Sequence, residues 1–181
     1  MDKPKRKRIL VGRNRVPASE DGAAFGLNKS SPRARKIATT GYSLTAETWI
    51  DQHYQIRKQL GDTDGFRTGI EQTAVESLVR RSMNHLFTYS TLLKTFHFIN
   101  DENQGVYVSR VVLQERMDDR FLNVVIEAHY LEVSMFEITI KTAMCTEEFR
   151  IADGQFVLQV DGNQSTLKRM ERGTLREIHH L

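Results

Sequence analysis

Hydrophobic and polar side chains alternate along Phe121–Met144, whose sequence is FLNVVIEAHYLEVSMFEITIKTAM. Successive side chains of a β-strand point to opposite faces of the sheet, so a period of two indicates strands. The alternation is interrupted near Leu131–Ser134, which predicts a tight turn there. We therefore expect two long antiparallel strands, each with one apolar and one polar row of side chains.

The polar rows of this hairpin carry the candidate chemistry. If the two apolar rows share one face, five polar side chains gather within cross-strand reach on the other face. They are Glu127, His129, Glu137, Thr139 and Lys141. A shift of one residue in the pairing would exchange the two faces, so the grouping depends on the register. Such a face is either a solvated surface or a functional site, and the sequence leaves both interpretations open.

The alternation continues on both sides of the hairpin. It predicts further strands at Leu92–Ile99, Val106–Arg116, Phe156–Val160, Ser165–Lys168 and Leu175–Ile178. Segments rich in turn-forming residues separate these strands, which is typical of short connections between neighbours. We therefore expect an antiparallel meander sheet of five to six strands.

Two helices are predicted before the sheet. Over Thr45–Leu60, apolar residues form a loose stripe, and Glu47 adds negative charge to the first turn. A capping-box pattern, Thr68 with Glu71, then opens a second helix whose apolar residues recur at helical spacing as far as Leu86. The predicted fold class is α+β, with two N-terminal helices packed on one face of a five- to six-stranded antiparallel meander sheet.

Charge is distributed unevenly along the chain. Residues 1–45 contain 11 lysines and arginines and 3 acidic residues, whereas residues 46–181 contain 15 and 20. All three prolines lie in residues 1–44, where few apolar side chains are available to offset the entropy of ordering. We therefore predict a flexible basic N-terminal arm over residues 1–44, followed by a single α+β domain over residues 45–181.

The arm is suited to phosphate contacts, because lysine and arginine release counterions from nucleic acid when they bind it. The candidate nucleic-acid-binding residues are Lys5, Arg6, Lys7, Arg8, Arg13 and Arg15, together with Arg110 on a predicted strand. RNA or another nucleic acid is the expected partner of residues 1–44. A protein partner such as an inhibitor is the alternative.

The remaining composition limits the kinds of functional site that the chain can contain. A single cysteine, Cys145, excludes an intrachain disulfide and a multi-cysteine zinc site. Neither a metal-ligand spacing nor a nucleotide-binding loop is present, so no metal and no cofactor are expected. The absence of a run of about 18 apolar residues predicts no membrane-spanning helix and favours a soluble, cytoplasmic protein.

Acid–base chemistry without a metal matches the polar residues that remain. RNA cleavage of this kind needs a base for the 2′-hydroxyl proton, an acid for the leaving oxygen and a cation for the charged phosphorane. The hairpin candidates for these roles are Glu127, His129, Thr139 and Lys141. His53 and Arg57, four apart on the first predicted helix, are either a base with a phosphate clamp or a solvated pair.

Three motifs follow one another along roughly residues 49–144. They are His53 with Arg57, then Arg67, Gly69, Ile70 and Val75, then Ile138–Met144. This order resembles the small RelE/BrnT-like ribonuclease toxins, of the barnase–EndoU–colicin–RelE fold type. The resemblance implies helices before an antiparallel sheet and RNA cleavage without a metal. It also implies that His53 and Arg57 form a helical site pair, and Thr139 and Lys141 a strand pair. The chain departs from the toxins in its extra length and its acidic body.

Two functions follow as expectations. The first is a metal-independent, toxin-type ribonuclease-like domain that cleaves RNA by acid–base catalysis, with the basic arm contacting nucleic acid. The alternative is a non-catalytic accessory module that binds nucleic acid or protein through the arm. Cleavage that depends on His129 or Lys141 would favour the first, and salt-sensitive binding through the arm would favour the second.

Overall fold

The computed structural model describes residues 25–41, 45–52, 54, 70–108 and 110–181. Within these ranges the chain forms nine strands, one α-helix and one short 3₁₀ turn. In chain order they are β1 (Ala34–Gly41), β2 (Thr45–Asp51), α1 (Gln72–Leu92), β3 (Ile99–Asn100), the 3₁₀ turn (Glu102–Gln104), β4 (Val111–Met117), β5 (Arg120–Glu132), β6 (Met135–Cys145), β7 (Phe156–Asp161), β8 (Gln164–Glu171) and β9 (Thr174–His180).

All nine strands belong to one mixed sheet. Its order is β1-β2-β6-β5-β4-β7-β8-β9, with the short β3 beside β5. Three neighbouring pairs are parallel, namely β2 with β6, β3 with β5 and β4 with β7, and the others are antiparallel. The β5–β6 hairpin lies in the interior of the sheet, between β2 and β4.

The register of the central hairpin groups the polar side chains as the shared-face hypothesis requires. Glu127 lies opposite Thr139, and His129 lies opposite Glu137. The pairing shifts by one residue between Val125 and Ile126, which leaves Lys141 as the extra residue of a β-bulge. The apolar rows of both strands face the other side, where they enter the core.

The apolar face of the sheet is covered by α1. The buried face of this helix includes Val75, Leu78, Leu86 and Tyr89, all with no exposed surface. They pack against fully or almost fully buried sheet residues, including Leu113, Leu122, Val124, Ile126, Ile138, Ile140 and Leu158. Burial of this stripe stabilises the helix much more than local propensity does.

The predicted arrangement of two helices on a five- to six-stranded antiparallel meander is wrong. Over the described ranges the protein is a nine-stranded mixed sheet with one helix. Thr45–Asp51, predicted as the start of the first helix, is β2, which pairs with β1 on one edge and β6 on the other. Hydrogen bonds on both edges of a segment rich in threonine, tryptophan and isoleucine outweigh a loose helical stripe. Most of the predicted remainder, residues 53 and 55–60, lies outside the described residues.

The predicted strand Leu92–Ile99 is also wrong, except at Ile99, where the short β3 begins. The helix extends to Leu92, and a loop follows in which Phe96 and Phe98 are both buried. Their rings stack with centroids 6.1 Å apart, so the alternation reflects two aromatic anchors of a loop rather than a pleated strand. Likewise, the strand predicted at Val106–Arg116 is β4, which begins only at Val111. The other predicted strands are confirmed, with small shifts at their ends.

Part of the predicted flexible arm packs on the sheet. Residues 25–33, here called the strap, cross the polar face of the β5–β6 hairpin, and β1 follows directly. The Asn28 side chain closes a local turn by accepting hydrogen bonds from the backbone N–H groups of Ser30 and Ser31, at 3.2 and 2.8 Å. Residues 25–41 of the predicted arm therefore lie on or in the sheet: polar contacts hold the strap, and β1 pairs with β2 and buries Ala34. Residues 1–24 lie outside the described part of the chain.

The helix itself is amphipathic rather than apolar all round. Among the described residues, no helix is long and apolar enough to cross a membrane.

Candidate functional site

The candidate site is the polar face of the β5–β6 hairpin. Its members, here called the polar cluster, are Glu127, His129, Glu137, Thr139 and Lys141. The strap lies over them, and the side chains of Asp51 and Arg110 reach them from β2 and from the segment before β4. The cluster is therefore a covered layer of polar groups rather than an open surface.

Glu127 and His129 form a hydrogen-bonded acid–imidazole pair. The His129 Nε2 atom lies 3.0 Å from Glu127 Oε1, and Arg110 Nε donates to Glu127 Oε2 at 2.8 Å. A carboxylate only accepts hydrogen bonds, so His129 Nε2 carries the proton in this contact. The hydrogen bond from His129, aided by Arg110 and the more distant Lys141 charge, lowers the pKa of Glu127 to about 2 against the opposing effect of burial.

The strap contacts the other cluster members through directional hydrogen bonds. Asn28 Nδ2 donates to Thr139 Oγ1 at 2.7 Å, and the backbone N–H of Lys29 donates to both carboxylate oxygens of Glu137, at 3.0 and 3.2 Å. Thr139 has no exposed surface and Glu137 is 3% exposed. Burial raises the pKa of Glu137, and the N–H group of Lys29 acts in the opposite direction.

Lys141 joins the strap to β2. Its ammonium donates to the backbone carbonyl of Ser30 at 3.0 Å and to Asp51 Oδ2 at 2.7 Å. Both charged side chains of the ion pair are only 13% exposed. The β-bulge that makes Lys141 the extra residue places its side chain within reach of both partners.

This enclosure restricts what the cluster can do chemically. The second imidazole nitrogen of His129, Nδ1, is buried and has no hydrogen-bond partner among the described residues. A general base must reach the proton that it removes, and here the free nitrogen is buried. In this conformation Glu137, Thr139 and Lys141 anchor the strap, while Glu127 and His129 bond to each other.

The predicted site residues separate into two groups. The structure brings together the four hairpin candidates and Arg110. The remaining candidates lie outside the described residues: His53, Arg57, Lys5, Arg6, Lys7, Arg8, Arg13 and Arg15.

Sequence reasoning missed the strap residues and a neighbouring cleft. The sequence Asn28-Lys-Ser-Ser is a recognisable turn signal, but its partners on β6 are more than 100 residues away. The cleft, of about 350 Å³, adjoins the polar cluster, and no sequence motif marks it. Its lining residues are Asp51, Arg110, Val125, Lys141, Thr142, Phe149, Arg150 and Gln155.

No clustering suited to a metal ion accompanies these groups. Over the part of the chain that the structure describes, no three histidine, cysteine or acidic side chains are placed to bind one.

No protein-family model matches the chain, and no curated protein and no solved structure shows significant similarity to it. We therefore infer function from the geometry of the site and from the charge distribution.

Proposed function

We propose that the chain is a non-catalytic nucleic-acid-binding module that contacts RNA or another nucleic acid through its basic N-terminal residues. The observation that supports this proposal is the strap on the polar cluster. Thr139, Glu137 and Lys141 each bind a strap residue, and the free nitrogen of His129 is enclosed. Groups that hold the chain's own backbone in this way anchor the N-terminal segment and are not available to a substrate.

Charge supports the same assignment. Residues 1–24 contain seven lysines and arginines and three acidic residues, whereas the rest of the chain is close to neutral. The strap connects this basic segment directly to the polar face, where Arg110 contacts Glu127. A basic segment fixed at one end to a rigid sheet gives phosphate contacts without base readout, and such contacts weaken steeply with salt.

Fluorescence anisotropy with a labelled single-stranded RNA, measured at several salt concentrations, tests this proposal. Changing Lys5, Arg6, Lys7 and Arg8 to Gln should weaken binding and flatten the salt dependence, by about 0.7 in the log–log slope for each phosphate that the variant no longer neutralises. A matched control removes four exposed cations of the body by changing Arg80, Lys94, Arg116 and Arg120 to Gln. Equal slopes in the two variants, or no RNA binding by the unaltered protein, would contradict the proposal.

A metal-independent ribonuclease of the toxin type is the second candidate. The contact that favours it is the hydrogen bond between Glu127 and His129 beside Arg110, since a carboxylate–imidazole pair next to a cation is suited to acid–base chemistry on a phosphodiester. For this function the strap would have to leave the cluster.

Incubation of the full-length protein with RNA in EDTA distinguishes the two functions. Cleavage that is abolished in His129→Ala and Lys141→Ala but kept in His97→Ala, which changes an exposed histidine, would establish the nuclease. RNA that stays intact while it binds would remove the nuclease and leave the binding module.

A further inference from the structure

The cleft beside the polar cluster, here called the cationic cleft, has three cations on its walls. Arg110 contacts Glu127 and Lys141 contacts Asp51, so two of the three are neutralised by carboxylates. The third, Arg150, is exposed and forms no ion pair with any residue that the structure describes. The cleft therefore holds a net positive charge that the described chain does not compensate.

A second unused group lies in the same cleft. The hydroxyl oxygen of Thr142 is buried and has no hydrogen-bond partner among the described residues. A buried hydroxyl without a partner is costly, so a side-chain rotation that turns the Thr142 hydroxyl towards the cleft would let it donate to an anionic oxygen there. Thr142 lies directly after the bulge residue Lys141, so a cation and a hydroxyl are adjacent at this point of β6.

The floor of the cationic cleft is apolar. It contains Val125 and the half-buried ring of Phe149, which packs on a small cluster formed by Val112, Val125 and Val157. An aromatic ring beside two arginines is the combination that proteins use for nucleotides, with stacking for the base and charge-assisted hydrogen bonds for the phosphate.

A second cleft in the described part of the chain has a different lining. It has a volume of about 430 Å³, lies at the β8–β9 end of the sheet, and is also rich in arginine. There Arg176 pairs with Glu171, and the Arg169 guanidinium lies over Phe156 and near the carbonyl of Gly154. Its lining contains two carboxylates, Asp153 and Glu171, and neither an aromatic ring nor a side-chain hydroxyl, so it lacks the groups that would hold a base beside a phosphate.

We propose that the cationic cleft binds one nucleotide unit of single-stranded RNA, with the phosphate between Arg110 and Arg150 and the base on Phe149. The Thr142 hydroxyl donates a hydrogen bond to a phosphate oxygen. This inference rests on the proposed function, and it adds to the basic segment a second contact that holds a nucleotide on the sheet. The two contacts act on one strand, so each increases the effective concentration of RNA for the other.

Binding to the cleft is tested by titrating the full-length protein with uridine 5′-monophosphate, uridine and inorganic phosphate and following the titration by NMR. These small ligands offer at most one phosphate, so the basic segment contributes less to their binding than to that of a longer RNA. We expect the monophosphate to bind more tightly than either fragment. Arg150→Ala and Thr142→Val should each weaken its binding, by about tenfold for the arginine. Arg80→Ala removes the same charge from an exposed position on α1 and should leave binding unchanged.

The Thr142 variant also distinguishes a binding role from a folding defect. Valine has nearly the same shape and lacks the unpartnered hydroxyl, so Thr142→Val should unfold at the same or higher urea concentration than the unaltered protein. Phe149→Leu keeps the apolar packing and should reduce the preference for the monophosphate over phosphate, because leucine cannot stack on the base.

The outcomes separate failure of this inference from failure of the proposed function. If the monophosphate does not bind, or if Arg150→Ala and Thr142→Val bind it as well as Arg80→Ala does, the cleft is not a nucleotide site, whatever the RNA results show. If the monophosphate binds in the cleft but RNA affinity is independent of residues 5–8, the basic-segment function fails and the cleft stands.

Discussion

The two faces of the β5–β6 hairpin are covered in opposite ways. On one face, the apolar rows of both strands pack beneath α1, and the contacts are close packing without specific partners. On the other face, each side chain of the polar cluster has a named partner, which lies on the strap, on β2, in the segment before β4 or within the cluster itself. The stability of one face of these two strands therefore depends on close packing of apolar side chains. The stability of the other face depends on hydrogen bonds and ion pairs between particular groups.

This difference predicts different responses to change. Burial of apolar surface is non-directional and nearly independent of pH. Hydrogen bonds and ion pairs in a covered layer depend on both partners and on their ionisation, and removal of one partner leaves the other buried without compensation. On the face that packs against α1, here called the helix face, stability should therefore decrease most when a substitution creates a cavity. On the face that the strap covers, here called the strap face, it should decrease most when a substitution removes a charge.

The largest effect is expected on the helix face. Leu86→Ala, at a position with no exposed surface, should lower the free energy of unfolding by about 4 kcal/mol, because apolar burial is reduced and a cavity is left behind. The same substitution at Leu92, which lies in the same helix and is 55% exposed, should change it by less than about 1 kcal/mol. Urea unfolding measures both, and equal decreases would mean that α1 is not packed on the sheet through this face.

The next effect concerns the strap face. Lys141→Met keeps the length of the side chain but removes its ammonium from Asp51 and from the carbonyl of Ser30, and should cost about 3 kcal/mol. Lys36→Met breaks the exposed pair with Glu47 and should cost less than about 1 kcal/mol. Faster amide hydrogen exchange in residues 28–31 of the Lys141 variant alone would show that the destabilisation lies in the strap. Unchanged exchange there would contradict the assigned hydrogen bonds.

The smallest effect is a pH dependence that the helix face should lack. The pKa of Glu127 in the folded protein is lowered from 4.5 to about 2, so its contribution is present above pH 4.5 and is lost as the pH falls towards 2. Glu137 shifts in the opposite direction and partly offsets this decrease. The stability difference between the unaltered protein and Glu127→Gln should be about 2 kcal/mol at pH 7 and shrink towards zero near pH 2. A stability difference that does not change with pH would mean that the lowered pKa of Glu127 does not cause it.

Much of the centre of the fold was predictable from the sequence. The period of two indicated both strands of the hairpin, and the shared register correctly grouped Glu127, His129, Glu137 and Thr139. The second predicted helix is α1, although its first turn has no side-chain cap from Glu71. These features depend on local periodicity, which a single sequence contains.

The errors come from interactions between distant segments. Nothing in the sequence of β2 shows that it pairs with β6, and nothing in the strap shows that its partners are the polar row of the same strand. The strap resembles a linker in composition because it is held by hydrogen bonds instead of apolar burial. The cationic cleft likewise joins β2, the segment before β4, β5, β6 and the segment before β7, which no local pattern connects.

The parallel pairing of β2 with β6 has a consequence for how the protein is made. Thr45 pairs with Met135, so β2 leaves the ribosome long before its partner exists. Until β6 is synthesised, the antiparallel pair of β1 and β2 has both edges open, and the strap has no polar row to bind. Closing such a long loop is slow, so this end of the sheet should complete last. The basic N-terminal residues are thus synthesised first, but they gain their anchor on the sheet only late in folding.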